Sequence, residues 1–122
     1  MQTHNETDIS IDGTSLMGYI DTTYKDLTEN FGKPLSGDGY KTNAEWHLSF
    51  DDGSVGTIYD YGGKGGPVKT LKLWHIGGHS QEVISKIHNE FSGGCVMGIH
   101  EKWLGGIKYP LIIRPNWEKW LE

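Results

Sequence analysis

The sequence predicts a single α+β domain in which an antiparallel sheet is covered by two helices. Three observations carry that reading. Between residues 45 and 50, apolar and polar residues alternate with the two-residue period of a half-buried strand, and Asp51-Asp52-Gly53 turns the chain into Val55 to Tyr61, of which neither face is purely polar. Segments 23–31 and 80–91 instead carry apolar residues three and four apart, the period of an amphipathic helix. Glycine is abundant, 18 of 122 residues, as tight turns between short strands require. A chain of this length is one domain, able to bury roughly two thirds of its unfolded surface without metal or disulfide.

Taken in order, Met1 to Thr7 is polar and expected to be disordered. Asp8 to Gly13 alternates at a strand period into an Asp-Gly turn, and Leu16 to Ile20 is expected to pair with it as a hairpin. A helix begins at Thr22 or Thr23, with Asp26 three residues beyond Thr23 as in a capping box. Leu27 and Phe31 lie one turn apart on its buried face, and Gly32 and Pro34 stop it. The clearest hairpin runs from Glu45 to Tyr61, with Trp46, Leu48 and Phe50 inward. Gly62 to Pro67 reads as a loop, Val68 to Ile76 as the next strand.

The most informative stretch is Leu71 to Ser80, where an apolar strand meets Gly77-Gly78 and then a helix start flanked by His75 and His79. The two glycines permit positive φ and close backbone approach, and Ser80 is placed to cap the helix Gln81 to Phe91. Val83, Ile84, Ile87 and Phe91 give that helix an apolar face, and Gly93-Gly94 ends it. A strand end at a helix N-terminus is a common anion or nucleotide site. Beyond it, short strands are expected at Cys95 to Ile99 and Tyr109 to Ile113, then a helical turn from Asn116 presenting Trp117, Trp120 and Leu121.

Composition narrows the function classes. Net charge is −5 with Arg114 as the single arginine, which argues against a dedicated nucleic-acid binder. One cysteine, Cys95, excludes an internal disulfide. With no basic-then-apolar leader at Met1, a reducing cytosol, that of a host cell, is expected. No apolar run approaches the ~20 residues of a membrane helix.

Candidate chemistry is sparse. His47, His75, His79, His88, His100 and Cys95 are metal-ligand types, but their spacing matches no zinc pattern, and His100-Glu101 has Leu104 where a zinc protease needs its second histidine. Gly62-Gly63-Lys64-Gly65-Gly66 lacks the Lys-Ser/Thr and following helix of a phosphate loop, though glycine amides with Lys64 can form an anion nest. Asp51, Asp52 and Asp60 with Glu45 could serve acid-base work, yet Asp51 and Asp52 stand where a turn wants them. Cys95 carries no nucleophile signature. Tyr59, Tyr61, Trp74, Trp103, Trp117 and Trp120 are large rings able to stack a base or anchor a partner.

An ordered series, Phe31-Gly32-Lys33-Pro34, Asp38-Gly39-Tyr40-Lys41, Glu45-Trp46, Phe50-Asp51-Asp52-Gly53, Thr57-Ile58-Tyr59-Asp60-Tyr61 and Trp74-His75-Ile76-Gly77-Gly78-His79, resembles a family of small bacteriophage and related viral proteins over about residues 28 to 91. The tail from Gly93 onward departs from that pattern and is expected to be a member-specific extension. The resemblance implies a viral protein in host counter-defence. Such a protein would inhibit a host immune complex or sequester its nucleotide signal. A ligand pocket would then draw on Lys41, Tyr59, Tyr61, Lys64, Trp74, His75, Gly77, Gly78, His79 and Ser80; a partner surface would draw on Trp103, Arg114, Trp117 and Trp120. No catalytic residue, metal or cofactor is expected, and the chain is expected to form a homo-oligomer. The competing reading is a small nucleotide-processing enzyme using His75 and His79 as acid-base residues, or a phage structural or regulatory domain.

Overall fold

The computed structural model describes residues 1–36, 43–60, 68–91, 95–104 and 107–113, and these form an α+β domain. In chain order they are β1 (Gln2–Thr3), β2 (Ser15–Asp21), α1 (Tyr24–Phe31), β3 (Glu45–Ser49), β4 (Val55–Tyr59), a 3-10 turn (Val68–Thr70), β5 (Leu73–Gly78), α2 (Glu82–Glu90), β6 (Cys95–Leu104) and β7 (Ile107–Ile113). Every strand pairing is antiparallel, in the order β1-β3-β4-β5-β2-β6-β7.

The β3–β4 hairpin forms as its alternation predicts. Trp46, Leu48 and Ile58 are buried, while Glu45, His47 and Ser49 occupy the opposite face. Its turn is built by the expected residues: Gly53 takes φ 88°, and Asp52 Oδ1 accepts from both the amide and the hydroxyl of Ser54.

Helix α1 starts and stops as its caps dictate. The Asp26 amide donates to Thr23 Oγ1 at 3.1 Å, and Gly32, at φ 83°, donates its amide to the Thr28 carbonyl. Both helices pack on the face that carries Ile20, Trp46, Ile58, Trp74 and Ile76, where Leu27, Phe31, Val83, Ile84 and Ile87 complete the core. Trp46 and Trp74 meet edge to face at 5.5 Å. Their indole N–H groups reach the two ends of α1, Trp74 donating to the Thr22 carbonyl and Trp46 to the Gly32 carbonyl.

Several expectations are corrected. Asp8 to Gly13 forms no strand: β2 pairs with β5 along its length and with β6 from Gly18 to Asp21, the stretch of β2 where the expected hairpin would have paired. Met1 to Thr7 is not frayed. Gln2 and Thr3 pair with Ser49 and Leu48, the His4 amide donates to the His47 carbonyl, and the terminal ammonium reaches Asp51 at 3.1 Å.

The third main strand begins later and ends later than its apolar run, since residues 68–70 form a 3-10 turn and β5 continues through Gly77 and Gly78. Neither glycine has positive φ. Their value is space: a Cβ on Gly78 would lie 2.7 Å from Val83 Cγ1, and one on its cross-strand partner Gly56 would lie 2.6 Å from Val83 Cγ2. Two bare backbones thus let α2 seat against the sheet. Ser80 is not the cap of α2. That position falls to Gln81, which makes no side-chain capping bond, and the helix spans Glu82–Glu90.

The two tail strands are longer than predicted. The Gly62 to Pro67 loop and the helical turn from Asn116 lie outside the described residues.

Candidate functional site

Because both helices cover one face of the sheet, alternation along each strand delivers a second set of side chains to the other face. Register aligns Glu45, Tyr59, His75 and Tyr19 in one row across β3, β4, β5 and β2. The rings touch. Tyr59 stacks on His75 with centroids 5.4 Å apart and planes at 21°, and Tyr19 meets the other side of the imidazole edge-on at 5.0 Å. All three rings are half-buried.

The adjacent row is His47, Thr57, Gly77 and Leu16. A Cβ on Gly77 would sit 2.8 Å from Thr57 Cγ2 and 3.5 Å from Tyr59 Cε1, so this glycine makes room for the Thr57 methyl and the edge of the Tyr59 ring. Thr57 is 3% exposed, and its hydroxyl has no hydrogen-bond partner among the described residues. At one flank, His47 Nε2 and Glu45 Oε2 are 2.7 Å apart. Leu16 and Leu73 stand exposed on the same face at 41% and 51%. The result is an aromatic strip with aliphatic ends.

Burial pushes the His75 imidazole below its ordinary pKa of 6.5, and the negative charge of Asp60 opposes the shift to a smaller degree. The ring is therefore neutral near pH 7 and presents a flat, uncharged surface between two phenols. Asp60 itself is 2% exposed and accepts from the amides of Asn43 and Ala44 at 2.7 and 2.9 Å and from the Asn43 side chain. Its carboxylate fastens the chain entering β3, which is a structural task.

Of the residues assigned to a ligand pocket by sequence, Tyr59, His75 and Gly77 come together on this face. Trp74 does not join them: it is fully buried on the opposite face, stacked into the core, and cannot hold a base. Gly78 is likewise buried beneath Val83. His79 and Ser80 are exposed past the end of β5, with His79 beside Gly13. An anion site at this junction is not built. The strand ladder pairs Gly77 and Gly78 with β4 and β2, and Glu82 places a carboxylate in the first turn of α2, where a phosphate would be repelled.

Lys41, Tyr61, Lys64, Arg114, Trp117 and Trp120 lie outside the described residues. Trp103 is placed in β6, in register with Lys108 of β7.

Sequence reasoning missed Tyr19, Thr57, Leu16 and Leu73 as members of a site. Their signal is alternation within β2, β4 and β5, but that becomes a shared surface only once strand order makes those strands neighbours.

Among the described residues, no three His, Cys, Asp or Glu side chains are grouped to hold a metal ion. A depression of about 240 Å³ lies between Phe50, Asp51, Asp52, Lys86, Asn89 and Glu90, but Lys86 is engaged there by Asp52 and Ser54 at 2.5 and 2.6 Å. Among the described residues, no helix is long and apolar enough to cross a membrane. No protein-family model, curated protein or solved structure matches this chain, so the reading of the Tyr19–His75–Tyr59 face rests on its own geometry.

Proposed function

We propose that the chain is a non-enzymatic, phage-type binding protein acting in counter-defence, and that it inhibits a host immune complex by docking the helix-free face of its sheet on a protein surface. The observation that carries this reading is the Tyr19–His75–Tyr59 row. Rigid rings with polar edges are the residues that dominate protein interfaces, since they bury large area at small entropic cost. Exposed Leu16 and Leu73 extend the apolar strip, and the Glu45–His47 pair supplies a polar rim. The viral context comes from the resemblance of residues 28 to 91.

A protein partner is favoured over a nucleotide because the described residues bring no cation to the rings. An imidazole stacked on a phenol can hold a base, but a nucleotide also needs its phosphates neutralised. Catalysis by His75 with His79 is disfavoured by reach. Four residues along an extended chain separate them by about 13 Å, too far for a shared proton transfer.

The test is retention of a host complex from lysate by the wild-type protein, by Tyr59→Ala and Tyr19→Ala, and by the remote variant Lys25→Ala. The same complex should be held by wild type and Lys25→Ala and lost at least ~10-fold by the tyrosine variants. Equal retention by all four would remove this face from the reading. In parallel, the protein is incubated with cyclic and linear nucleotides, then denatured. Depletion followed by recovery of intact ligand would replace the protein partner with a sequestered nucleotide. Altered ligand, abolished in His79→Ala, would establish an enzyme.

A further inference from the structure

We propose that Asp12 is a modification site, at which the Asp12-Gly13 linkage rearranges through a cyclic imide to an isoaspartyl linkage. The chain has three Asp-Gly pairs, Asp12-Gly13, Asp38-Gly39 and Asp52-Gly53. Glycine is the neighbour that least obstructs this ring closure, because it brings no Cβ beside the attacking amide. Asp38-Gly39 lies outside the described residues, and the structure sets the other two in opposite circumstances. Asp52-Gly53 is locked. The Gly53 amide, whose nitrogen would have to attack, donates to the Phe50 carbonyl at 2.9 Å. Asp52 Oδ1 accepts from the amide and hydroxyl of Ser54 at 2.9 and 2.6 Å, and Oδ2 accepts from Lys86 Nζ at 2.5 Å. Ring closure needs the protonated carboxyl, and Lys86 with the two Ser54 donors holds this one far below the usual carboxylate range.

Asp12-Gly13 has none of these restraints. Both residues are exposed, and neither belongs to a strand or a helix. Among the described residues, the Asp12 carboxylate accepts no hydrogen bond and the Gly13 amide donates none. The turn is closed by the Thr14 amide on the Ile11 carbonyl at 3.1 Å, and the Asp12 amide reaches Ser10 Oγ at 3.4 Å. An exposed turn held by so few bonds opens locally at small cost, which frees the Asp12 side chain to swing its Cγ onto the Gly13 nitrogen.

In the first step the Gly13 nitrogen bonds to Cγ of the protonated Asp12 carboxyl, and the amide proton leaves with the carboxyl hydroxyl as water. The cyclic imide that remains is one water lighter. Water then adds at the main-chain carbonyl of Asp12 and breaks its bond to the Gly13 nitrogen. The chain now runs through Cβ and Cγ, a free α-carboxylate is left, and the composition is that of the original protein. The linkage is one carbon longer, so the Ile11–Thr14 turn is lost immediately before Ser15 and Leu16, the residues of β2 that pair with Gly78 and Gly77.

The full chain, held for weeks in warm near-neutral buffer with and without urea and then digested, tests this. Isoaspartyl peptides separate from their parents at unchanged mass and are quantified by enzymatic methyl transfer to the new carboxylate. In the folded chain Asp12 should convert at least ~10-fold faster than Asp52, whereas in urea the two should convert at comparable rates. Lys86→Ala, confirmed as folded by circular dichroism, should accelerate conversion at Asp52 and leave that at Asp12 unchanged. Equal rates at the two sites in the folded protein, or an Asp12 that stays intact there while the unfolded chain converts, would overturn the inference. So would an Asp52 as inert in folded Lys86→Ala as in the wild type. These outcomes are independent of whether any host protein is bound.

Discussion

Val83 shows how one side chain can decide a helix position. Its two methyl groups rest on Gly56 and Gly78, where any Cβ would approach within 2.6 to 2.7 Å. Gly78→Ala should therefore cost about 1–3 kcal/mol through overpacking. Urea unfolding checks this. Adding Val83→Ala should recover part of the loss, because the clash is with the valine itself, and simple additivity of the two changes would refute the account. His75 offers a second test through pH. With the folded imidazole depressed below 6.5, the unfolded chain takes up the proton first as pH falls, so stability is full above 6.5 and declines from there down to the folded pKa. Urea midpoints measured against pH should show this decline in the wild type and a shallower one in His75→Gln. Parallel curves would exclude His75 as a source. For Asp60, removing charge while keeping shape, as in Asp60→Asn, should destabilise by about 1–3 kcal/mol, because one of the donors that the described residues give this buried carboxylate would then face an amide N–H.

Among the elements, α1 is short and is held from outside as well as by its own caps. Thr23 satisfies the Asp26 amide, and two indoles bind carbonyls at its ends. Thr23→Ala should cost about 1 kcal/mol. Trp46→Phe should cost more, because it leaves the Gly32 carbonyl unpaired as well as shrinking the core; thermal unfolding of both variants ranks them, and the reverse order would show that packing at α1 is looser than the geometry implies. The helix was legible in sequence because every one of its signals is local: a capping threonine, apolar residues one turn apart and a terminating glycine. The start of α2 was misread for a complementary reason. Ser80 has capping chemistry, but β5 is held in its ladder through Gly78, and the chain needs Ser80 and Gln81 to turn before helical geometry begins. A side-chain preference lost to strand pairing.

Over the whole molecule, strand order governs what the chain presents. Placing β5 between β4 and β2 is what brings Tyr59, His75 and Tyr19 into one row, though Tyr19 and Tyr59 stand 40 residues apart in sequence. The same order gives the Gly18–Asp21 edge of β2 to β6, and residues 8–13 join no strand. It also places the N-terminal segment on the outer edge of β3, where β1, His4 and the Leu35 bridge occupy backbone groups that would otherwise invite another strand. Truncating residues 1–7 should accordingly increase aggregation as well as reduce stability, measurable by light scattering during thermal unfolding. A soluble truncated form with unchanged unfolding would show that this edge needs no cover.

What the sequence determined by itself was the set of local structures: the β3–β4 hairpin, the first helix with its two ends, the apolar face of the second and the α+β class. Each depends on residues within a turn or a two-residue alternation, where sterics and burial act between near neighbours. Tertiary structure alone decided that Trp74 faces the core while His75 faces outward, that Gly78 makes room for a valine and not for a phosphate, and that the polar N-terminus is a strand. Those outcomes depend on which distant segments become neighbours. No short-range pattern encodes that, because it is fixed by the competition of all strands for a limited number of edges.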